Sequence, residues 1–207
     1  MTKWVMNWQD YLDQSLMQGS IAIVGNGIIK GKGAEIDAHD TVVRFSNAIM
    51  IGHENNVGSR ESFRFLCYPS APDKLKDEES LIRGRRIILM AGSYKLWLEG
   101  VAKLVNNNVL YMFDPDYWNK LKLRLAEERK IIDHKMPSLG LMAIWTMMLY
   151  SKPDLYGFDF FAGDDKNKYH YFEEYPLQYD KNLWHDWDTE RRIVEELHNK
   201  SKVNWIS

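Results

Sequence analysis

Cysteine is almost absent: Cys67 is the single one in 207 residues. One thiol excludes an internal disulfide framework and a thiolate zinc cluster, and it is the usage expected of a reducing compartment such as the cytosol. Charge of one sign is missing too. With 27 Lys and Arg against 29 Asp and Glu the formal charge is -2, so no global basic field exists to hold a polyphosphate backbone, and nucleic acid is not an expected partner. Nor is there an apolar run of the roughly 20 residues that a bilayer crossing takes; residues 139–150 come nearest and stop at Ser151 and Lys152. The opening residues, among them Trp4, Asn7, Gln9, Asp10 and Asp13, lack the basic start and compact apolar centre of a signal peptide. The expectation is a cytoplasmic chain without a transmembrane segment, at most peripheral to the inner face of a membrane.

What is present is a composition of 45% hydrophobic and 27% charged residues in mixed order, that of one globular domain spanning residues 1–207. Aromatics are abundant, with eight Trp and eleven Tyr. Such rings fill cores, and they also make walls for sugars and bases, because a flat apolar face comes with a polar edge. Composition does not choose between these uses.

Periodicity orders the elements. Trp4, Trp8, Tyr11, Leu12 and Leu16 share a stripe, which predicts an amino-terminal helix over residues 1–19. Short apolar runs predict strands at 21–24, 41–45, 63–66, 86–90, 109–113, 154–158 and 202–205, separated by helices at 117–130, 141–149 and 189–200 and by a charged loop or short helix at 73–85. Strands alternating with helices predict an α/β fold: a Rossmann-like domain whose sheet is mostly parallel, helices on both faces, and a ligand in the crevice at the strand carboxyl ends. Residues 161–188, rich in aromatic and acidic side chains, read as a lid or acceptor loop.

The first interior strand runs into Gly25-Asn26-Gly27-Ile28-Ile29-Lys30-Gly31-Lys32-Gly33, which has the look of a phosphate cradle. Two common cradles fail. The nucleoside-triphosphatase loop needs four residues between its glycines and then Lys-Ser or Lys-Thr, but Gly27 and Gly31 enclose three and Lys32 precedes Gly33. The dinucleotide fingerprint needs different glycine spacing and an acid ending the second strand; Ser46-Asn47 stands there. That places a nicotinamide-dependent oxidoreductase out of consideration. A merely flexible turn remains an alternative, against which stands Asn26, whose amide both donates and accepts at the strand tip.

Taken together, Ile23-Val24-Gly25-Asn26-Gly27, Gly31-Lys32-Gly33, Glu35-Ile36-Asp37, His39-Asp40, Val43-Arg44-Phe45 and Asn56-Val57-Gly58-Ser59-Arg60 resemble the large sialylmotif of the animal-type sialyltransferase family, glycosyltransferase family 29, and more closely its soluble bacterial-type members. Pro137-Ser138-Leu139-Gly140-Leu141-Met142 with Tyr156-Gly157-Phe158 resembles the small motif, His170-Tyr171-Phe172-Glu173 the third, and His185 with Glu190 the very small motif. All four occur in the family's order.

The resemblance implies a sialyltransferase variant of the GT-A fold that moves sialic acid from CMP-sialic acid to a glycan hydroxyl, with inversion at the anomeric carbon and with neither metal nor cofactor. It implies an acceptor glycan such as a bacterial surface glycolipid or capsule precursor. By similarity, Gly25, Asn26 and Gly27 with Ser46 and Asn47 bind the sugar donor near its phosphate and ribose. Ser138 and Gly140 hold the cytidine ribose and phosphate at a helix start, where an anion is independently favoured, and Gly157 and Phe158 lie beside the cytosine. His185 is the implied general base, kept neutral by the positive end of a helix that Asp186 or Asp188 caps. His170 and Tyr171 stabilise charge on the departing phosphate. Glu190 has a structural role, orienting His185 or satisfying amides of its own helix.

Each reading has a plainer competitor. His185 beside Trp184 and Trp187 reads otherwise as a packed surface residue, and residues 169–175 as an aromatic cover for the sheet. Asp114-Pro115-Asp116 and Asp164-Asp165 read as turn chemistry rather than as the metal-binding acids of other glycosyltransferases. Departures from the family pattern also count. Ser46 stands where the family has Asn, and Leu139 replaces a hydroxyl residue, which keeps open a different CMP-linked 2-keto acid sugar or a noncatalytic CMP-sugar-binding protein. The paired cysteines of the vertebrate enzymes are missing as well.

Overall fold

The computed structural model describes residues 5–7, 19–46, 48–68, 86–91, 109–112, 123, 135, 137–160, 168–171, 173–174 and 185–206. In chain order these form β1 (Val5–Asn7), β2 (Ile21–Val24), α1 (Gly33–Asp37), β3 (Thr41–Phe45), α2 (Glu54–Val57), β4 (Phe63–Tyr68), β5 (Arg86–Ala91), β6 (Val109–Met112), α3 (Leu139–Met147), β7 (Asp154–Tyr156), β8 (Lys168–His170), β9 (Glu173–Glu174), α4 (Trp187–Asn199) and β10 (Asn204–Ile206). Eight strands make one sheet in the order β1-β6-β5-β4-β3-β2-β7-β10. Every pairing within it is parallel.

Both faces of the central strands are covered, which is why they read as unbroken apolar runs. Ile21, Ile23, Val43, Phe45, Phe63, Phe65 and Leu155 face α3 and α4, meeting Leu141, Met142, Ile144, Ile193, Val194 and Leu197. The alternate residues Ala22, Val24, Val42 and Tyr156 face the other way, toward Ile36 of α1 and Val57 of α2. Two positions on that second face are arginines. Arg44 and Arg64 are register neighbours on β3 and β4, 0% and 1% exposed. Arg64 donates to Glu61 through Nε at 3.0 and 3.1 Å, to Ser46 O at 2.9 Å and to Ala48 O at 3.1 Å. Arg44 donates to Arg60 O and Val57 O. Guanidinium forks thus fasten the chain that leaves β3 to the sheet below it.

One expectation from periodicity needs correction. The helix over 1–19 is not formed at its start, since residues 5–7 are a strand whose Val5 pairs with Leu110. The main chain of β6 would otherwise be an open edge, and pairing there overrides the helical spacing of Trp4 and Trp8. Between β3 and β4 the stretch 46–62 contains α2, and Asp37 accepts N–H groups from Ser59 and Arg60 at 2.8 to 3.0 Å. The segments 73–85 and 117–130, apart from Leu123, lie outside the described residues. No helix among those described is long and apolar enough to cross a membrane.

Candidate functional site

From β2 the chain steps through β3, β4 and β5 to β6 on one side, then returns to place β7 and β10 on the other. The order therefore reverses between β2 and β7, and a crevice at the carboxyl ends of the strands opens at such a reversal. The turns Gly25-Asn26-Gly27 and Gly157-Phe158 leave those two strands. They are pressed together: Gly25 N–H donates to Tyr156 O at 2.7 Å and Gly27 N–H to Gly157 O at 3.0 Å. A Cβ on Gly25 would lie 2.5 Å from the Gly157 carbonyl oxygen, and one on Gly27 2.6 Å from it.

The glycines are thus required by backbone contact with β7, and the flexible-turn reading falls. Both of their amides are already engaged by main chain. What this turn offers instead is Asn26. Its carbonyl accepts the Tyr171 N–H at 2.9 Å, while its side-chain Oδ1 is buried without a partner among the described residues. An unmet buried acceptor calls for a donor such as a sugar hydroxyl.

The second wall begins at Ser138. Its side chain caps α3, Oγ accepting the Leu141 N–H at 3.1 Å. Its N–H donates to Glu190 Oε1 at 2.6 Å, and Oγ lies 2.5 Å from Glu190 Oε2. Ser138 N and Oγ thus both face Glu190. Glu190 departs from its expected place: its hydrogen bonds go neither to His185 nor to the amides of α4 but to the start of α3. Gly140 follows for a steric reason, since a Cβ there would come within 2.9 Å of the Phe158 ring. That ring packs edge-on against Phe45 with centroids 6.1 Å apart, so Phe158 is core on its aromatic face. Its carbonyl accepts Trp205 Nε1–H at 3.0 Å, and the Gly157 carbonyl accepts Gly27; each oxygen keeps one lone pair for the edge of a base. A cavity of about 550 Å³ adjoins them, walled by Ile28, Ile29, Gly157, Phe158 and Trp205 and bordered by Lys30, Lys32, Asp159 and Arg191. That is room for a nucleoside-sized ligand.

Glu190 is 1% exposed, and burial pushes its pKa from 4.5 up to about 8 against the lowering effect of the two Ser138 hydrogen bonds. The folded chain then holds a proton that the unfolded chain has lost, between pH 4.5 and about 8. Stability is expected to fall as pH rises through that window, on the order of 1 kcal/mol per pH unit. Glu190→Gln removes the slope. Denaturant midpoints of both proteins at pH 6 and pH 8 check this.

The third motif docks on the first. β8 and β9 pair antiparallel, His170 ends β8, and Tyr171 follows it onto the Asn26 carbonyl. The Tyr171 hydroxyl donates to Ile49 O at 2.6 Å, and its ring meets His53 edge-on at 5.2 Å. Its O–H is thus engaged by main chain, and Tyr171 anchors the third motif on the first. The His170 side chain lies outside the described residues. His185 stands just before Asp186, whose Oδ1 accepts the Thr189 N–H at 3.1 Å and caps α4. Its imidazole lies 4.9 Å from the Trp187 ring between centroids, half-buried, one turn of chain ahead of the buried Glu190.

Ser46 adopts φ of +45°, a left-handed conformation that asparagine tolerates better than serine. Its N–H donates to Phe65 O and its carbonyl accepts Arg64; Asn47 lies outside the described residues. Ser46→Asn is expected to stabilise the fold by roughly 0.5 kcal/mol through relief of that conformation, read as a rise in thermal midpoint. Sequence reasoning missed Arg64 as a support of this loop. The available signal was a lone arginine inside each of two apolar strands, Val43-Arg44-Phe45 and Phe63-Arg64-Phe65. Among the described residues no three His, Cys, Asp or Glu converge as metal ligands; Asp114, Asp116, Asp164 and Asp165 lie outside them.

Comparison with known proteins points one way. The family model described as "Glycosyltransferase family 29 (sialyltransferase)" matches residues 13–202. A mouse CMP-N-acetylneuraminate-beta-galactosamide-alpha-2,3-sialyltransferase 2 is 27% identical over 199 residues, covering 88% of this chain and 55% of the relative. The human type 2 lactosamine alpha-2,3-sialyltransferase is 27% identical over 210 residues, covering 87% of this chain and 62% of the relative. The chain thus spans little more than half the length of these relatives. A crystal structure of a mammalian sialyltransferase in complex with Gal-beta-1-3GalNAc-ortho-nitrophenol superposes with a TM-score of 0.61 at 22% identity, covering 94% of this chain and 72% of that one. It shares the fold.

Proposed function

The chain belongs to glycosyltransferase family 29, and from that premise we propose that it is a sialyltransferase, moving sialic acid from CMP-sialic acid to a hydroxyl of an acceptor glycan with inversion and without a metal ion. One observation carries the reading: the four motif segments, distant in sequence, meet in pairs around the β2–β7 crevice, Tyr171 on Asn26 and Glu190 on Ser138.

In this reading the cytidine lies along the carboxyl ends of β2 and β7. Asn26 Oδ1 accepts from a ribose hydroxyl, and the phosphate sits over the start of α3, where the N–H groups of Leu139 and Gly140 have no partner within the helix. His185 removes the proton from the acceptor hydroxyl as its oxygen attacks the anomeric carbon. The bond from that carbon to the phosphate oxygen breaks on the opposite face, so configuration inverts and CMP departs. The phosphate changes from diester to monoester and gains charge, which hydrogen-bond donors at the helix start and on His170 stabilise without a divalent ion.

Purified protein mixed with CMP-sialic acid and a panel of galactose-terminated acceptors is expected to release CMP and yield sialylated product, at a rate unchanged by EDTA. An acceptor-dependent rate that collapses with EDTA and returns with a divalent ion would overturn the metal-free part. Absence of any CMP release with every acceptor would overturn the whole.

A further inference from the structure

Among the described residues the carboxyl of Glu190 hydrogen-bonds to one, Ser138. Both of its oxygens face Ser138, at 2.6 Å from N and 2.5 Å from Oγ, and no cation among the described residues pairs with it. From α4, Asp186 at the cap opposes negative charge on Glu190, while Asp188 is exposed and Arg191 turns to Glu195 at 3.0 Å. Ahead of the cap stands His185, and Lys135 reaches His185 O at 3.4 Å rather than the carboxyl. α3, with sequence LGLMAIWTM, contributes no ionisable side chain.

A serine hydroxyl has one proton to donate and two lone pairs to accept with. One lone pair of Ser138 Oγ takes the Leu141 N–H. The contact between Oγ and Oε2 then has two forms, according to which oxygen owns the bridging proton.

We propose that the proton on Glu190 decides whether Ser138 can serve a ligand. With Oε2 protonated, the carboxyl donates to the second lone pair of Oγ, and the serine O–H is released to donate to an anion at the start of α3. With Oε2 ionised, the serine O–H is held by the carboxylate and the ligand loses it. This rests on the reading of that helix start as the seat of the CMP phosphate, and it makes Glu190 a positioning residue acting through Ser138. Burial without a counter-charge favours the protonated form at neutral pH, in line with a pKa pushed up to about 8. Binding is then strong around neutrality and weaker in alkali, where the proton has gone to solvent.

The test is calorimetric titration with CMP from pH 7 to pH 9.5, on the whole chain and on Glu190→Gln and Ser138→Ala. The phosphate monoester loses its second proton near pH 6, so its own titration lies below this range and is common to all three proteins. Losing one hydrogen bond to a charged group is expected to raise the wild-type Kd roughly tenfold across the range. Glu190→Gln imitates the protonated form at every pH, its amide N–H on Oγ and its oxygen on the Ser138 N–H, and its Kd is expected to stay flat. Ser138→Ala is expected to bind weakly and flatly. Infrared difference spectra of wild type against Glu190→Gln supply a readout without ligand: a protonated carboxyl band present at pH 7 and gone above pH 9. The proposal is overturned if wild type and Glu190→Gln share one pH dependence, or if that band is missing at pH 7, as it would be for a carboxylate with a merely structural role. If the band is present but CMP binds none of the proteins at any pH, the phosphate site itself is wrong, and the release of Ser138 toward an anion falls with it.

Discussion

Alanine at His185 is expected to slow CMP release in the presence of acceptor by about 10² to 10⁴-fold, the range that a positioned general base contributes. His185 precedes the capping residue Asp186, so the start of α4 fixes its main chain, while the Trp187 ring at 4.9 Å limits where the imidazole can swing. Fewer positions for the ring mean less loss on reaching a reactive geometry. Because the side chain is half-buried and outside both apolar cores, the variant is expected to keep its thermal midpoint, and CMP is expected to bind it within a few-fold of wild type. The loss therefore belongs in kcat. Rates measured at saturating CMP-sialic acid, with the midpoint beside them, separate these effects; a variant that retains wild-type kcat would remove His185 from the chemistry.

The largest expected loss of stability follows Glu61→Ala. Glu61 and Arg64 have 4% and 1% of their side chains exposed, and the carboxylate meets the guanidinium through both Nε and Nη2. Removing the acid leaves a cation inside the fold whose remaining partners among the described residues are two carbonyl oxygens, Ser46 O and Ala48 O. Breaking a buried pair from one side costs about 3–5 kcal/mol. In urea, where m rises with chain size toward about 3 kcal/mol/M, the midpoint is expected to drop by roughly 1–2 M. Glu61→Leu with Arg64→Met is expected to recover part of this and not all, because the carbonyls of Ser46 and Ala48 lose their donor. Unfolding curves of the single and double variants decide it, and equal midpoints for wild type and Glu61→Ala would show that the pair carries no stability.

Much of this could be read from the chain. Ile21–Val24 and Thr41–Phe45 were legible because a strand covered on both faces must be apolar throughout, and the starts of α3 and α4 because Ser138 and Asp186 are capping residues before helical runs. What could not be read depended on partners far along the chain. Gly25 and Gly27 suggested an anion cradle, and nothing near them announced that Gly157 O would press against them from 132 and 130 residues away. Glu190 seemed tied to its own helix, yet its partner lies 52 residues earlier. Local spacing also misled at Val5–Asn7, where an unpaired edge of β6 determined the outcome. The site residues were recognised as types; which of their polar groups remained available was settled only by folding.

The reversal of strand order between β2 and β7 also bears on when a growing chain can acquire its crevice. β2 meets β3 about twenty residues on, but its other neighbour, β7, begins at Asp154. On a ribosome adding about 5–20 residues per second, the half-sheet from β2 to β6 is available for several seconds with one flank of β2 bare. The start of α3 then waits for Glu190, and β7 waits for β10 at Asn204–Ile206. A copy interrupted before Glu190 has both glycine turns but lacks the carboxyl that holds Ser138, so the two walls of the crevice are joined only after α4 has been made.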